Sequence, residues 1–219
     1  MKSRLTGKEL DALKLLEKFG VIDAGVMAEI ENGVDKSVTR KRLAKLQKEG
    51  YADYLMYEGR KMYYATARGL SAIGSWRKPY RGKSGTTWHA VCIGIVAAWM
   101  RQEYEVCISE IETDRTLPKK ERHLPDLVAR NVAVEIELTQ KTKKRLEANI
   151  ISNGIRYGAQ IWIIPKMRVS LSGEIKKQAE MFGYEAYIYH IEEVEEAVRT
   201  KVYGGDYSLV HIAPKEVLS

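Results

Sequence analysis

The run Arg42-Leu-Ala-Lys-Leu-Gln-Lys-Glu-Gly-Tyr51 constrains the fold more than any other stretch of the chain. It completes a helical pattern that can begin at Asp35, a good N-cap residue, and that Gly50 ends. At about 3.6 residues per turn, Val38, Leu43 and Leu46 are predicted to share the inward side. Ser37, Arg40, Lys41, Ala44 and Lys48 then share the outward side. Residues 51–56 and 62–65 read as two strands, with Glu58-Gly59-Arg60-Lys61 as the turn between them. Upstream, leucines at 10, 13, 15 and 16 predict a helix that Gly20 stops, and residues 21–31 predict a short second one. Residues 66–74 predict another short helix after the hairpin.

The charge is uneven. Residues 1–85 hold 18 Lys+Arg and 10 Asp+Glu, residues 86–219 hold 18 and 19, so balances of +8 and −1 make up the net +7. A basic segment joined to a nearly neutral one points to a polyanion-binding module attached to something else. Trp76-Arg-Lys-Pro-Tyr-Arg-Gly-Lys-Ser-Gly85 reads as an exposed basic linker between the two. The longest apolar run, residues 91–100, is too short to cross a bilayer, so no membrane partner is expected. The N-terminal charges have no apolar stretch behind them, so no secretory signal is expected. Cys92 and Cys107 have neither metal-ligand spacing nor a disulfide framework, and a reduced, cytoplasmic chain is the expectation.

Three helices, the third of them basic, and a hairpin with a basic tip resemble a winged helix-turn-helix domain over residues 5–75. The resemblance implies double-stranded DNA as partner. Arg40 and Lys41 would lie in the major groove, with Ser37 and Lys48 nearer the backbone. Arg60 and Lys61 on the wing would reach phosphates. The domain organisation expected is 1–75 for this module, 76–86 for the linker and 87–219 for a second domain.

The second segment alternates helices and strands: a helix over 87–102, a strand over 104–111, two strands over 123–130 and 132–140 joined at Arg130-Asn131, and a basic helix over 141–151. A strand over 160–164, a helix over 171–182, a strand over 184–191 and an acidic helix over 192–200 complete it. The fold class expected for the chain is α+β with a mixed α/β second domain. Alternation along a strand points Glu135 and Glu137 to one side, and the hairpin brings Asp126 beside them. Three adjacent carboxylates repel one another unless a proton or cation is shared. Mg²⁺ or Mn²⁺, bound by oxygen and able to activate water against a phosphodiester, suits such a site.

Pro125-Asp126 and Glu135-Ile136-Glu137 resemble the first two motifs of the PD-(D/E)xK nuclease superfamily, with a restriction-endonuclease-like core over about residues 87–191. Glu137 stands where the superfamily usually has Lys. The resemblance implies Asp126 and Glu135 as metal ligands and Glu137 as a further ligand or the group that orients the attacking water. Gln140, Lys141 and Lys144 would hold the scissile phosphate or replace the missing Lys. Glu110, Glu112, His89 and His123 are secondary candidates, and Tyr157 a disfavoured nucleophile. A winged helix followed by His89, the Pro-Asp strand, Glu135-Ile-Glu137-Leu-Thr139 and Tyr157 is similar to the replication-relaxation family of plasmids and integrative elements.

The expected function is therefore that of a DNA-binding protein of a plasmid or mobile element. It would be a Mg²⁺-dependent DNA endonuclease or nickase acting in replication or mobilisation, alongside proteins of those processes. The alternative is a non-catalytic accessory or regulatory protein with a degenerate nuclease-like domain. A homodimer suits either, because two-fold DNA sites match paired recognition helices.

Overall fold

Thr6 opens the first helix, α1 (Gly7–Phe19), in a reciprocal cap: its hydroxyl accepts from the Glu9 amide and Glu9 accepts from the Thr6 amide. The computed structural model describes residues 4–31, 33–82, 86–118, 123–139 and 141–203, the side chains of 202 and 203 excepted. The described chain is a mixed α+β structure of two compact units, residues 1–94 and 95–219. The division falls inside helix α5 (Thr87–Tyr104), after the linker expected at 76–86. Among the described residues, no helix is long and apolar enough to cross a membrane.

In the first unit, α1 buries Ala12, Leu13, Leu16 and Phe19. The chain then forms a short strand, β1 (Ile22–Asp23), where a helix was expected. Asp23 ends this strand and caps α2 (Ala24–Ile30), accepting from the amides of Gly25 and Val26 at 2.6 and 2.9 Å. Asp35 caps α3 (Lys36–Lys48) through the Ser37 amide at 2.6 Å. The buried stripe of α3 is Thr39, Leu43 and Leu46, at i, i+4 and i+7, and the expected Val38 is 47% exposed. Thr39 reads as polar, but its hydroxyl is satisfied inside by Glu31 at 3.3 Å.

Strands β2 (Ala52–Tyr57) and β3 (Arg60–Ala65) form the hairpin, with Tyr57 opposite Arg60. Its turn is two residues, Glu58 and Gly59, both at positive φ, so Arg60 and Lys61 belong to the strand. The sheet order is β1-β3-β2, antiparallel throughout. Helix α4 (Ala67–Ala72) packs so closely that a Cβ on Gly69 would sit 2.0 Å from the Tyr51 carbonyl oxygen.

In the second unit, the residues after α5 turn rather than extend, because Glu105 has positive φ and the Glu110 carboxylate accepts from the Cys107 amide. The strand expected at 104–111 is thus only β4 (Ile111–Thr113). Strands β5 (Leu127–Ala129) and β6 (Val132–Ile136) are joined by Arg130 and Asn131, both left-handed. Helix α6 (Lys143–Arg156) leads to β7 (Ala159–Ile164), then α7 (Val169–Met181), β8 (Ala186–His190) and α8 (Ile191–Tyr203). The order is β4-β5-β6-β7-β8, antiparallel across β4, β5 and β6 and parallel across β6, β7 and β8. Trp162 and Ile164 of β7 pack with Leu146, Ile150, Leu171 and Ile175, so α6 and α7 cover one sheet face. Glu135 lies opposite Trp162, on that same face.

Candidate functional site

The two-residue turn at Arg130-Asn131 sets the register of β5 and β6: Ala129 faces Val132 and Leu127 faces Val134. Asp126 directly precedes Leu127 and Glu135 directly follows Val134, so this register brings the two to the same end of the pair. Its Oδ2 accepts from the Ile136 amide at 2.7 Å, which fixes the carboxylate at the strand edge. Glu135 and Glu137 are each 2% exposed.

Each buried carboxylate has partners. Glu135 Oε1 accepts from Asn153 Nδ2 at 2.9 Å and is hydrogen-bonded to His123 Nε2 at 2.5 Å. The His123 carbonyl in turn accepts from Arg156 at 3.1 Å. Glu137 accepts from the Thr139 hydroxyl at 3.3 Å and is ion-paired with Lys141. The Lys141 Nζ also lies 4.0 Å from Glu135 Oε2. With the Asn149 amide oriented to satisfy its neighbours, that side chain accepts from Lys141 at 3.3 Å. Burial pushes the Glu135 carboxyl above its ordinary range, against the His123 hydrogen bond; nearby Asp126 adds to the rise.

Sequence reasoning brings Asp126, Glu135, Glu137 and Lys141 to one place, and they do converge. Gln140 lies outside the described residues. Lys144 is exposed on α6. Glu110 is exposed and pairs with Arg130 at 2.9 Å, and Glu112 is exposed on β4, so neither joins the cluster. His89 belongs to the first unit and Tyr157 caps the end of α6. His123 is central rather than secondary. Asn149, Asn153 and Arg156 were missed. Their signal is a polar i, i+4, i+7 stripe on a helix that runs five residues beyond its expected end at 151.

The donor chemistry suits a hard divalent cation. Asp126 and Glu135 offer oxygens, and Mg²⁺ is commonly held by one or two carboxylates and water. Glu137, expected as a third ligand, is neutralised by Lys141. Among the described residues, no group of three or more His, Cys, Asp or Glu side chains is arranged to hold a metal.

The first unit carries a separate basic face. Ser37, Arg40, Lys41 and Lys48 are all exposed on α3, with Val38 and Ala44 among them. Two further cations of the helix are used internally: Arg42 pairs with Glu31 and Lys45 with Glu9. Lys36 was missed. Burial, and then the charges of Arg40 and Arg60, hold its ammonium below the ordinary lysine range, so helix and hairpin tip bring positive charge together. Lys61 is exposed with its Nζ 4.2 Å above the Tyr54 ring. Comparison of the chain with protein-family models, with curated proteins and with solved structures gives no match.

Proposed function

We propose that the chain is a DNA-binding protein whose second unit is a Mg²⁺-dependent DNA endonuclease or nickase of a plasmid or mobile element, acting in replication or mobilisation. The observation that carries this reading is the convergence of Asp126, Glu135, Glu137 and Lys141 where β5 begins and β6 ends. On this reading the second unit is a restriction-endonuclease-like core in which Lys141 substitutes for the lysine absent at position 137. The first unit is a winged helix-turn-helix module that reads double-stranded DNA through α3 and the hairpin.

Asp126 and Glu135 would hold the metal, which when bound polarises the phosphodiester and lowers the pKa of water. His123 and Asn153 orient Glu135 through its Oε1. Glu137 and Asn149 hold the Lys141 ammonium next to the carboxylates, where it can meet a phosphate oxygen. Exposed Ser37, Arg40, Lys41 and Lys48, with Lys36, Arg60 and Lys61, supply phosphate and base-edge contacts.

A second reading rests on a specific observation. The carboxylates already have internal partners in Lys141 and His123, as a DNA-binding accessory protein that has lost catalysis would retain for stability. A plasmid nicking assay at low salt with Mg²⁺ or Mn²⁺ separates the two. Metal-dependent conversion of supercoiled to open-circular DNA, lost in Glu135→Ala, is the expected result. Bound but intact DNA with wild-type protein defeats the nuclease reading and favours the accessory one.

A further inference from the structure

Beside the carboxylate cluster, between the N-terminal ends of α6 and α7, lies a cleft of about 310 Å³. Lys141, Lys143, Arg168, Ser170 and Glu174 line it over Leu146 and Leu171. Three cations face one carboxylate there. That carboxylate is occupied by Lys143 at 3.4 Å and by Gln178 at 2.6 Å. The Arg168 Nε is buried and meets no acceptor among the described residues. Arg168 itself is half-buried and lines the cleft, and a phosphate oxygen is the acceptor that guanidinium geometry fits best. Helix α7 starts at this cleft with no side-chain cap, so its positive end adds to the field. Met167 and Val169, the chain neighbours of Arg168, are 83% and 74% exposed.

We propose that this cleft binds a nucleic-acid backbone phosphate next to the linkage presented to the carboxylates. The proposal rests on the second unit acting on nucleic acid. Lys141 is the shared wall: its ammonium pairs with Glu137, and its side chain lines the cleft. A phosphate in the cleft is therefore separated from the carboxylates by a cation rather than opposed to them. Leu146 and Leu171 add apolar surface beside the cations, which favours a nucleotide over free phosphate.

The test is a ¹⁵N–¹H titration of the full chain with thymidine 3′,5′-bisphosphate, inorganic phosphate and thymidine, without metal. Saturable shifts are expected at the Val169, Ser170 and Leu171 amides and at the start of α6. The bisphosphate is expected to bind more tightly than inorganic phosphate, and thymidine to leave these amides unmoved. Arg168→Gln is expected to weaken the bisphosphate about tenfold, the loss of one charge-assisted hydrogen bond, and Arg168→Lys by less. Unmoved α7 amides overturn the proposal, as does equal binding of phosphate and bisphosphate. The wild-type titration decides the matter even if Arg168→Gln does not fold. Cutting plays no part in this readout, so failure of the titration, which overturns this proposal, is distinguishable from failure of the nicking assay, which defeats the nuclease reading.

Discussion

Lys141 is placed so that its positive charge is shared between two carboxylates that are nearly inaccessible to water. Removing one member of a buried charged group costs more than the group contributes as a whole, because the remaining charges stay desolvated. Lys141→Met is expected to lower unfolding free energy by about 3 kcal/mol. Adding Glu137→Gln should restore most of it, since the uncompensated charge is then gone. Chemical denaturation of the two variants beside wild type measures this; equal stability of the single and double variants would rule out the charge argument. The sequence displays Asp126, Glu135 and Glu137 by strand alternation alone. It does not display the partners of Glu135, because His123 approaches from a loop and Asn153 from a helix 18 residues away. The local trace of Asn153 is the polar stripe it shares with Asn149 and Arg156 on α6, which does not name Glu135 as its partner.

At the scale of elements, α3 shows how one helix divides its charges. Lys45 reaches back to Glu9 of α1, with Nζ to Oε1 at 2.6 Å, while Arg40 and Lys41 face outward. Burial works to raise the Glu9 carboxyl, yet the hydrogen bonds from Lys45 and Thr6 prevail and hold it below its ordinary value. A carboxyl held lower in the folded state contributes stability above its unfolded pKa, near 4.3, and loses it as pH falls through the folded value. Lys45→Met should therefore lower stability at neutral pH. That difference should shrink in denaturation curves as pH falls below about 4.3 and close below the folded value. A gap that persists in acid would assign the cost to packing of the lysine stem. The hairpin and α3 are legible in the sequence because a helix period, a glycine stop and a strand period follow one another. Strand β1 is not, since its two residues gain their extended form from pairing with Tyr63 and Met62 of β3. The span after α5 is misread for the opposite reason: its apolar alternation suggests a strand, but Glu105 takes positive φ and the Cys107 amide donates to Glu110.

For the whole molecule, residues 1–85 carry +8 of a net +7, so on the proposed reading association with a polyanion would be salt-dependent and would belong to the first unit. Each phosphate contact adds roughly 0.9 to the slope of log K against log salt. Arg40→Ala with Lys41→Ala should reduce that slope by up to about 2, measured by fluorescence anisotropy on a duplex, and leave the bisphosphate titration unchanged. An unchanged slope would remove α3 from the DNA-facing surface. The division into a basic and a neutral half is readable from charge counts. The place of the division is not, because α5 has continuous helical sequence through residue 94 and only packing assigns its two ends to different units. The two-residue turn at Arg130-Asn131 has a longer reach. Side chains alternate with a period of two, so one residue gained or lost between Ala129 and Val132 would turn Asp126 away from Glu135. Point substitutions can accumulate along this hairpin one at a time. A change in its length would erase the constellation in a single generation, so in any lineage that keeps the chemistry this loop should vary in letter and never in count.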